Sequence, residues 1–254
     1  MKYLLVFFFS ALVFSQENKL VKIDYISNKN GITNKEYLYV KADSAVYRND
    51  SLTIFNDNTK ILNEEKSELE VKQKRIDLPV VSFYHTSTSQ DLFINYFSLD
   101  EHKVVCYKDE LPEITWKIYD NETKNIGDYI VVKAIGMFRG SEIEAYFCPE
   151  IPINFGPWKF KGLPGLILEL TARNKNIEDY RWVVNKIDFD CKEQIAFKMN
   201  NQIKIEPFKK SVEKDFKKLK EQIKMANSQV PKGVKVGETV IVRGGIEQKY
   251  EWEK

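Results

Sequence analysis

The sequence predicts a mainly β protein with one long C-terminal helix, an α+β chain in which a curved antiparallel sheet, drawn toward a half-barrel, is covered by that helix. Three observations predict it. Apolar residues alternate with polar ones along most of the chain. The period changes to one near 3.6 only between about 207 and 228. The segments joining successive alternating runs are short and rich in Gly, Asn and Asp. Short connections without an intervening helix join antiparallel neighbours, because a parallel crossover needs a dozen residues or more.

From the start, Met1-Lys2 followed by the apolar run Tyr3 to Phe14 and the ending Val13-Phe14-Ser15 reads as a cleaved signal peptide over 1–15. The run is shorter than the ~20 residues a spanning helix wants. No cysteine stands near the cleavage point, so a lipid anchor is not predicted, and the protein is expected in the periplasm, in the outer envelope or outside the cell. The remainder, 16–254, is expected to form one β-rich domain. The full chain has 43% hydrophobic and 13% aromatic residues, ample for a core. Its formal charge of +2, near neutral once Lys2 is removed with the leader, gives no net field to draw nucleic acid or acidic membranes. Cys106, Cys148 and Cys191 are an odd number in an oxidising compartment and leave two readings open: one pair with a free thiol, or no pair.

Val21, Ile23 and Tyr25 alternate with polar neighbours, and Ser27 to Gly31 reads as a loop before the run Tyr37 to Val40. Ala45-Val46-Tyr47 and Leu52 to Phe55 flank Arg48-Asn49-Asp50-Ser51 as a hairpin. The stretch near 58–75 is dense in Lys and Glu and is expected to be a charged loop. Strands resume at Leu78 to Tyr84, Leu92 to Phe97 and Val104 to Tyr107. Ile114, Trp116 and Ile118 form another alternating run, with Asp120-Asn121-Glu122 as a polar turn. Tyr129 to Ile135 and Ile143 to Phe147 follow, joined across Met137-Phe138-Arg139-Gly140, and Trp182 to Phe189 continues the series.

The densest punctuation lies between Asn154 and Leu170. Gly156-Pro157 bends the chain, and Leu163-Pro164-Gly165-Leu166 fits a type II turn, with glycine at the position that needs positive φ. Between the bends, Trp158 and Phe160 alternate with Lys159 and Lys161, which puts two rings on one side and two ammonium groups on the other. Rings facing outward would make an aromatic binding patch. Rings facing inward would plug the end of the core. After the turn, Leu166, Leu168 and Leu170 give a core strand.

Near the end Phe208, Val212, Phe216, Leu219 and Ile223 mark an amphipathic helix near 207–228, entered after Pro207. Full burial of five such side chains would be worth about 8 to 15 kcal/mol before entropy. Beyond Pro231, Val240 to Val242 and Tyr250 to Trp252 read as one more strand or an extended tail.

Gly162-Leu163-Pro164-Gly165-Leu166-Ile167 spells the motif of the GLPGLI family, and its surroundings also resemble that family. These are Trp116-Lys117, Gly127, Tyr129, Phe138-Arg139-Gly140, Tyr146-Phe147, Pro149-Glu150-Ile151-Pro152 and Gly156-Pro157-Trp158-Lys159-Phe160. The resemblance spans about residues 113 to 171. It implies an exported protein of Bacteroidota-type bacteria with no assigned activity. Many relatives carry a cysteine near Val131, where this chain has none, so the resemblance transfers no disulfide.

The chemistry is sparse. His85 and His102 are the two imidazoles. His102 and Cys106 on one strand would face the same way yet stand roughly 13 Å apart, too far for one ion. No nucleophile elbow, zinc-binding H-E-x-x-H, Walker loop or dinucleotide fingerprint occurs. Glu142, Glu144 and Glu169 read as a solvated or ion-paired set, Glu169 with Arg173 or a nearby lysine. Arg139 beside Gly140 reads as an exposed hairpin residue that also suits an anion. Two functions are therefore expected in order: an exported, non-catalytic envelope protein that binds an apolar ligand, a peptide or a partner protein through Trp158, Lys159, Phe160, Lys161 and Arg139, and second, a periplasmic hydrolase using carboxylates or a lone histidine. No cofactor, metal or nucleic acid is implied.

Overall fold

A computed structural model describes residues 19–49, 53–63, 68–77, 81–98, 103–197, 203–229, 241 and 243–253. The expected signal peptide, His102 and most of the expected strand at 240–242 lie outside the described residues. The elements are β1 (Val21–Lys29), β2 (Ile32–Lys41), β3 (Ser44–Asn49), β4 (Thr53–Asn63), β5 (Glu68–Asp77), β6 (Ser82–Thr86) and β7 (Asp91–Ser98). They continue with β8 (Lys103–Glu110), β9 (Lys117–Ile126), β10 (Tyr129–Phe138), β11 (Ser141–Cys148), β12 (Leu166–Asn174), β13 (Ile177–Asp188), β14 (Ile205–Pro207) and α1 (Phe208–Ser228). Twelve strands form one open sheet in the order β14-β8-β7-β6-β3-β2-β1-β13-β12-β11-β10-β9. Its neighbours are antiparallel except β14, which runs parallel to β8. The mainly β class with one C-terminal helix is what the alternation predicts.

The sheet curls. Asp109 lies on β8, next to one edge, and Arg139 lies in the turn between β10 and β11, next to the other edge. At about 4.8 Å per strand a flat sheet would hold them roughly 40 Å apart. They are instead in direct contact at 2.8 Å. Register shifts at Asp24/Tyr25, Val132/Lys133, Tyr146/Phe147 and Ala172/Asn174 fall in this half of the sheet. Such bulges bend a strand and increase its twist, which gives the curl a local cause.

The curled sheet encloses the segment 149–165 as a plug. Phe155, Phe160 and Leu163 are fully buried, and Phe160 meets Phe138, Trp158 and Trp182 edge-on at 5.4, 5.5 and 6.2 Å. The plug satisfies its own backbone, as a buried loop must. Gly156 N–H donates to Phe160 O at 2.9 Å, Gly162 N–H to Asn154 O at 3.0 Å and Leu166 N–H to Ile151 O at 2.9 Å.

Several expectations are corrected. The helix contacts β8 and β14 at one edge of the sheet rather than lying across it. Its apolar stripe is therefore only partly buried, with Leu219 39% exposed, and the sheet's inner face is filled by the plug instead. In the charged stretch near 58–75, expected to be a loop, residues 58–63 and 68–75 are strand, where β4 and β5 pair as a separate two-stranded sheet, and residues 64–67 lie outside the described residues. β3 pairs with β2 and β6 and β4 with β5, so the arms of the hairpin expected around Arg48-Asn49-Asp50-Ser51 do not pair with each other; residues 50–52 lie outside the described residues. The loop expected from Ser27 to Gly31 is a tight hairpin turn, with Asn30 and Gly31 at φ 52° and 81°. Asp120-Asn121-Glu122 is no turn either. It sits inside β9 where the register slips, since Val132 pairs with Thr123 and Lys133 with Tyr119. The three cysteines are buried and unpaired.

The glycines of the motif serve different ends from the one expected. Gly162 takes the positive φ, 98°, whereas Gly165 does not. At Gly165 the constraint is space, because a Cβ would stand 2.2 Å from the Cys148 carbonyl oxygen. Replacing Gly165 by alanine should therefore cost about 2 kcal/mol or more in urea denaturation, while Gly244→Ala, with nothing within 4 Å, should stay within about 0.5 kcal/mol.

Candidate functional site

The site grows from two tight turns. Arg139 and Gly140 occupy the two central positions between β10 and β11, both at positive φ (45° and 84°), which is the hairpin turn whose twist suits paired strands. For arginine that conformation costs roughly 1 kcal/mol. The second turn is Pro157-Trp158-Lys159-Phe160, closed by Phe160 N–H donating to Pro157 O at 3.2 Å. Trp158 sits at φ 56°, which an indole-bearing residue seldom adopts. The even alternation read across Trp158 to Lys161 is thereby broken.

The two turns meet at a buried charge cluster. Arg139 grips Asp109 with both guanidinium nitrogens, Nη1 to Oδ2 and Nη2 to Oδ1, each at 2.8 Å. Its Nε and Nη2 also donate to Glu251 at 3.2 and 3.0 Å, and Nη1 donates to Glu247. The Lys159 ammonium lies between Asp109 (2.9 Å) and Glu247 (2.8 Å). The Arg139 and Asp109 side chains are fully buried and that of Lys159 is 2% exposed. Arg139 is therefore a buried tether and not the exposed hairpin residue expected. Its carbonyl also accepts Gln248 N–H at 2.8 Å, which fixes the C-terminal segment onto the turn.

Burial alone would raise the Asp109 carboxyl, but hydrogen bonds from Arg139 and the Lys159 charge outweigh it and hold the group below its usual range. Burial likewise works against the Arg139 charge, and Asp109, Glu247 and Glu251 more than offset it, so its pKa is raised. Arg139 and Asp109 thus hold each other charged in the buried cluster.

Against this support rests an aromatic cleft of about 300 Å³, bounded by Trp158, Tyr180, Trp182 and Tyr250, with Lys29 and Glu247 at its polar edge. Trp182 is fixed from behind. Its Nε1–H donates to Glu36 at 2.5 Å, and Glu36 also accepts from Tyr47 and from Lys29 (2.5 Å). Tyr250 stacks on Trp252 at 4.5 Å and receives the Arg139 guanidinium over its ring at 4.8 Å.

Of the residues singled out in the sequence, Trp158 is half-buried in the cleft wall, Phe160 is wholly internal and Lys159 is part of the ion cluster. Lys161 is half-buried on the opposite flank of the turn. Gly162 to Ile167 lead from the plug into β12, where Leu163, Leu166 and Ile167 are buried. Sequence reasoning missed Asp109, Glu247, Glu251, Tyr180, Trp182 and Tyr250 as partners of this turn. Among the described residues no cluster of His, Cys, Asp and Glu suits a metal. His85 is buried against Phe155 (4.9 Å) with neither ring nitrogen bonded, and burial, aided by the Lys161 charge, lowers its pKa to about 3. Glu169 pairs with Lys124 at 2.9 Å and Arg181 at 3.0 Å, while Arg173 goes to Asp179.

Residues 136–169, which hold both turns, match the Bacteroidota-associated family described as "Protein of unknown function (Porph_ging)". Among curated proteins none matches the chain. Two solved structures of PNGF-II, in the C2 and P21 space groups, superimpose on 74% of it with TM-scores of 0.50 and 0.51, at 18% and 16% identity. The chain spans 31% of the length of those structures, and the likeness is one of fold.

A carboxyl depressed in the folded state adds stability above its unfolded pKa and loses it as pH falls through the folded value. Asp109→Asn should cost about 3 to 5 kcal/mol at neutral pH, since it leaves Arg139 and Lys159 short of a buried partner. It should also flatten the decline in stability from about pH 5 downward. Urea midpoints of both proteins across that range check both effects.

Proposed function

We propose that the protein is an exported, non-catalytic component of the bacterial envelope that binds a ligand or partner in the aromatic cleft beside the Trp158 turn. The observation that carries this is Trp158 itself. A residue held at φ 56° with its indole half-buried is kept there at a conformational cost, and such strain concentrates where a side chain must be presented. Behind it the ion cluster fixes Lys159, and beside it Trp182 and Tyr250 are immobilised by hydrogen bonding and stacking. A cleft with apolar walls and two charged groups at its rim suits a molecule with one flat apolar face and a polar edge.

Among the described residues three candidates favour binding over bond cleavage: Asp109 is held ionised by two cations, Glu169 is paired twice, and the buried His85 has no hydrogen-bond partner to activate or orient it. Export is supported by the apolar leader in the sequence and by the Bacteroidota-associated family match. Among the described residues no helix is long and apolar enough to cross a membrane. We read the family match and the GLPGLI motif as marks of one group.

Trp158→Ala and Tyr180→Ala should each reduce at least tenfold what the tagged protein retains from its own envelope fraction, with the far-UV circular dichroism unchanged. Equal retention by the folded variants, or consumption of a retained molecule, would refute non-catalytic binding in this cleft.

A further inference from the structure

On the other flank of the same turn the geometry points to a second site: a polar cleft that takes a small monocarboxylate, with the Lys161 ammonium as its counter-charge. This assignment does not depend on what the aromatic cleft binds. The Lys161 Nζ donates to Thr86 O at 2.9 Å and to Ser89 O, and among the described residues no carboxylate lies within ion-pair distance of it. An ammonium has three donors, so one remains to be satisfied. Lys159, two residues earlier, shows the opposite arrangement, fully offset by Asp109 and Glu247.

Among the described residues the Lys161 ammonium has no ion-pair partner, and the carboxylate that lines the cleft, Glu113, is exposed at its rim. Burial lowers its pKa, the direction for an ammonium whose desolvation no anion repays. The Lys161 charge also helps keep the buried His85 imidazole neutral. The cleft has a volume of about 180 Å³. Its polar wall is Ser87, Gln90 and Asn154, whose side chains hydrogen-bond to no described residue and are free to meet an oxyanion. Its other wall includes Ile114 and Phe138, which suit a short alkyl chain. At about 30 Å³ per water molecule the space equals roughly six waters, enough for a carboxylate of a few carbons.

One negative charge fits better than two. A single ammonium is unpaired here, and the exposed Glu113 carboxylate at the rim would repel any excess charge. A dianionic phosphate would leave one charge without a partner.

Calorimetric titration of the whole protein with sodium propionate, at ionic strength held constant with chloride, tests the assignment. The wild type should bind propionate saturably and more tightly than phosphate. Lys161→Met should weaken binding at least tenfold, and Gln90→Ala, an exposed substitution, should weaken it severalfold without moving the melting temperature. Trp158→Ala should leave propionate binding intact, which separates this site from the aromatic cleft. Affinity unchanged in both Lys161→Met and Gln90→Ala, absence of saturable binding by the wild type, or tighter binding of phosphate would each overturn it.

Discussion

The bidentate contact between Arg139 and Asp109 is the constraint on which the rest of the structure depends. Twelve strands in an open sheet leave two edges, β9 and β14, that could lie far apart. The guanidinium near one edge and the carboxylate near the other fix their separation instead, and the geometry is rigid because a planar fork meets a planar carboxylate. Everything enclosed follows from that closure. The plug finds walls on both sides, the C-terminal segment is held against the β10–β11 turn, and the aromatic cleft has a fixed back.

Such a cluster is an expensive way to gain stability. Withdrawing charges from water costs several kcal/mol per ion, and good partners recover that cost without leaving much surplus. Its value is in specificity. Two cations and three carboxylates that satisfy one another in a single arrangement disfavour alternative registers and alternative closures of a sheet whose strands are otherwise similar alternating ribbons. The aromatic contacts around Arg139, with the rings of Phe138, Tyr250 and Trp252 at 5.4, 4.8 and 5.7 Å, add attraction that the same charge in water would lack.

Much of the fold was legible in the chain. Period-two runs located β1, β2, β10, β11 and β12, and the spacing from Phe208 to Ile223 located α1 within a residue. What escaped depends on long-range contact. Asp120-Asn121-Glu122 reads as a turn because an irregularity in a strand has no composition of its own; only the pairing of consecutive Val132 and Lys133 with Thr123 and Tyr119 shows these three residues bulging out of β9. The stretch near 58–75 reads as loop because its charge density hides strand pairing between β4 and β5. The helix reads as a lid because amphipathicity states that a face needs covering, not which surface covers it. The site was half legible: the tryptophan, lysines and arginine stand out by their glycine and proline neighbours. Asp109, flanked by Lys108 and Glu110, looks like any solvated strand residue, and only the curl of the sheet brings it to Arg139.

Within one four-residue turn the chain thus divides its labour. Phe160 faces the core, Lys159 the ion cluster and Trp158 the cleft, with Lys161 just beyond, and none of these directions is available to an extended strand. That division requires the sheet to be held closed by the Arg139–Asp109 contact. A double-mutant cycle on Arg139→Gln and Asp109→Asn, read from urea unfolding free energies, measures this most directly. Closure through this pair predicts a coupling of about 2 to 3 kcal/mol. A coupling near zero, with the two losses simply additive, would contradict it.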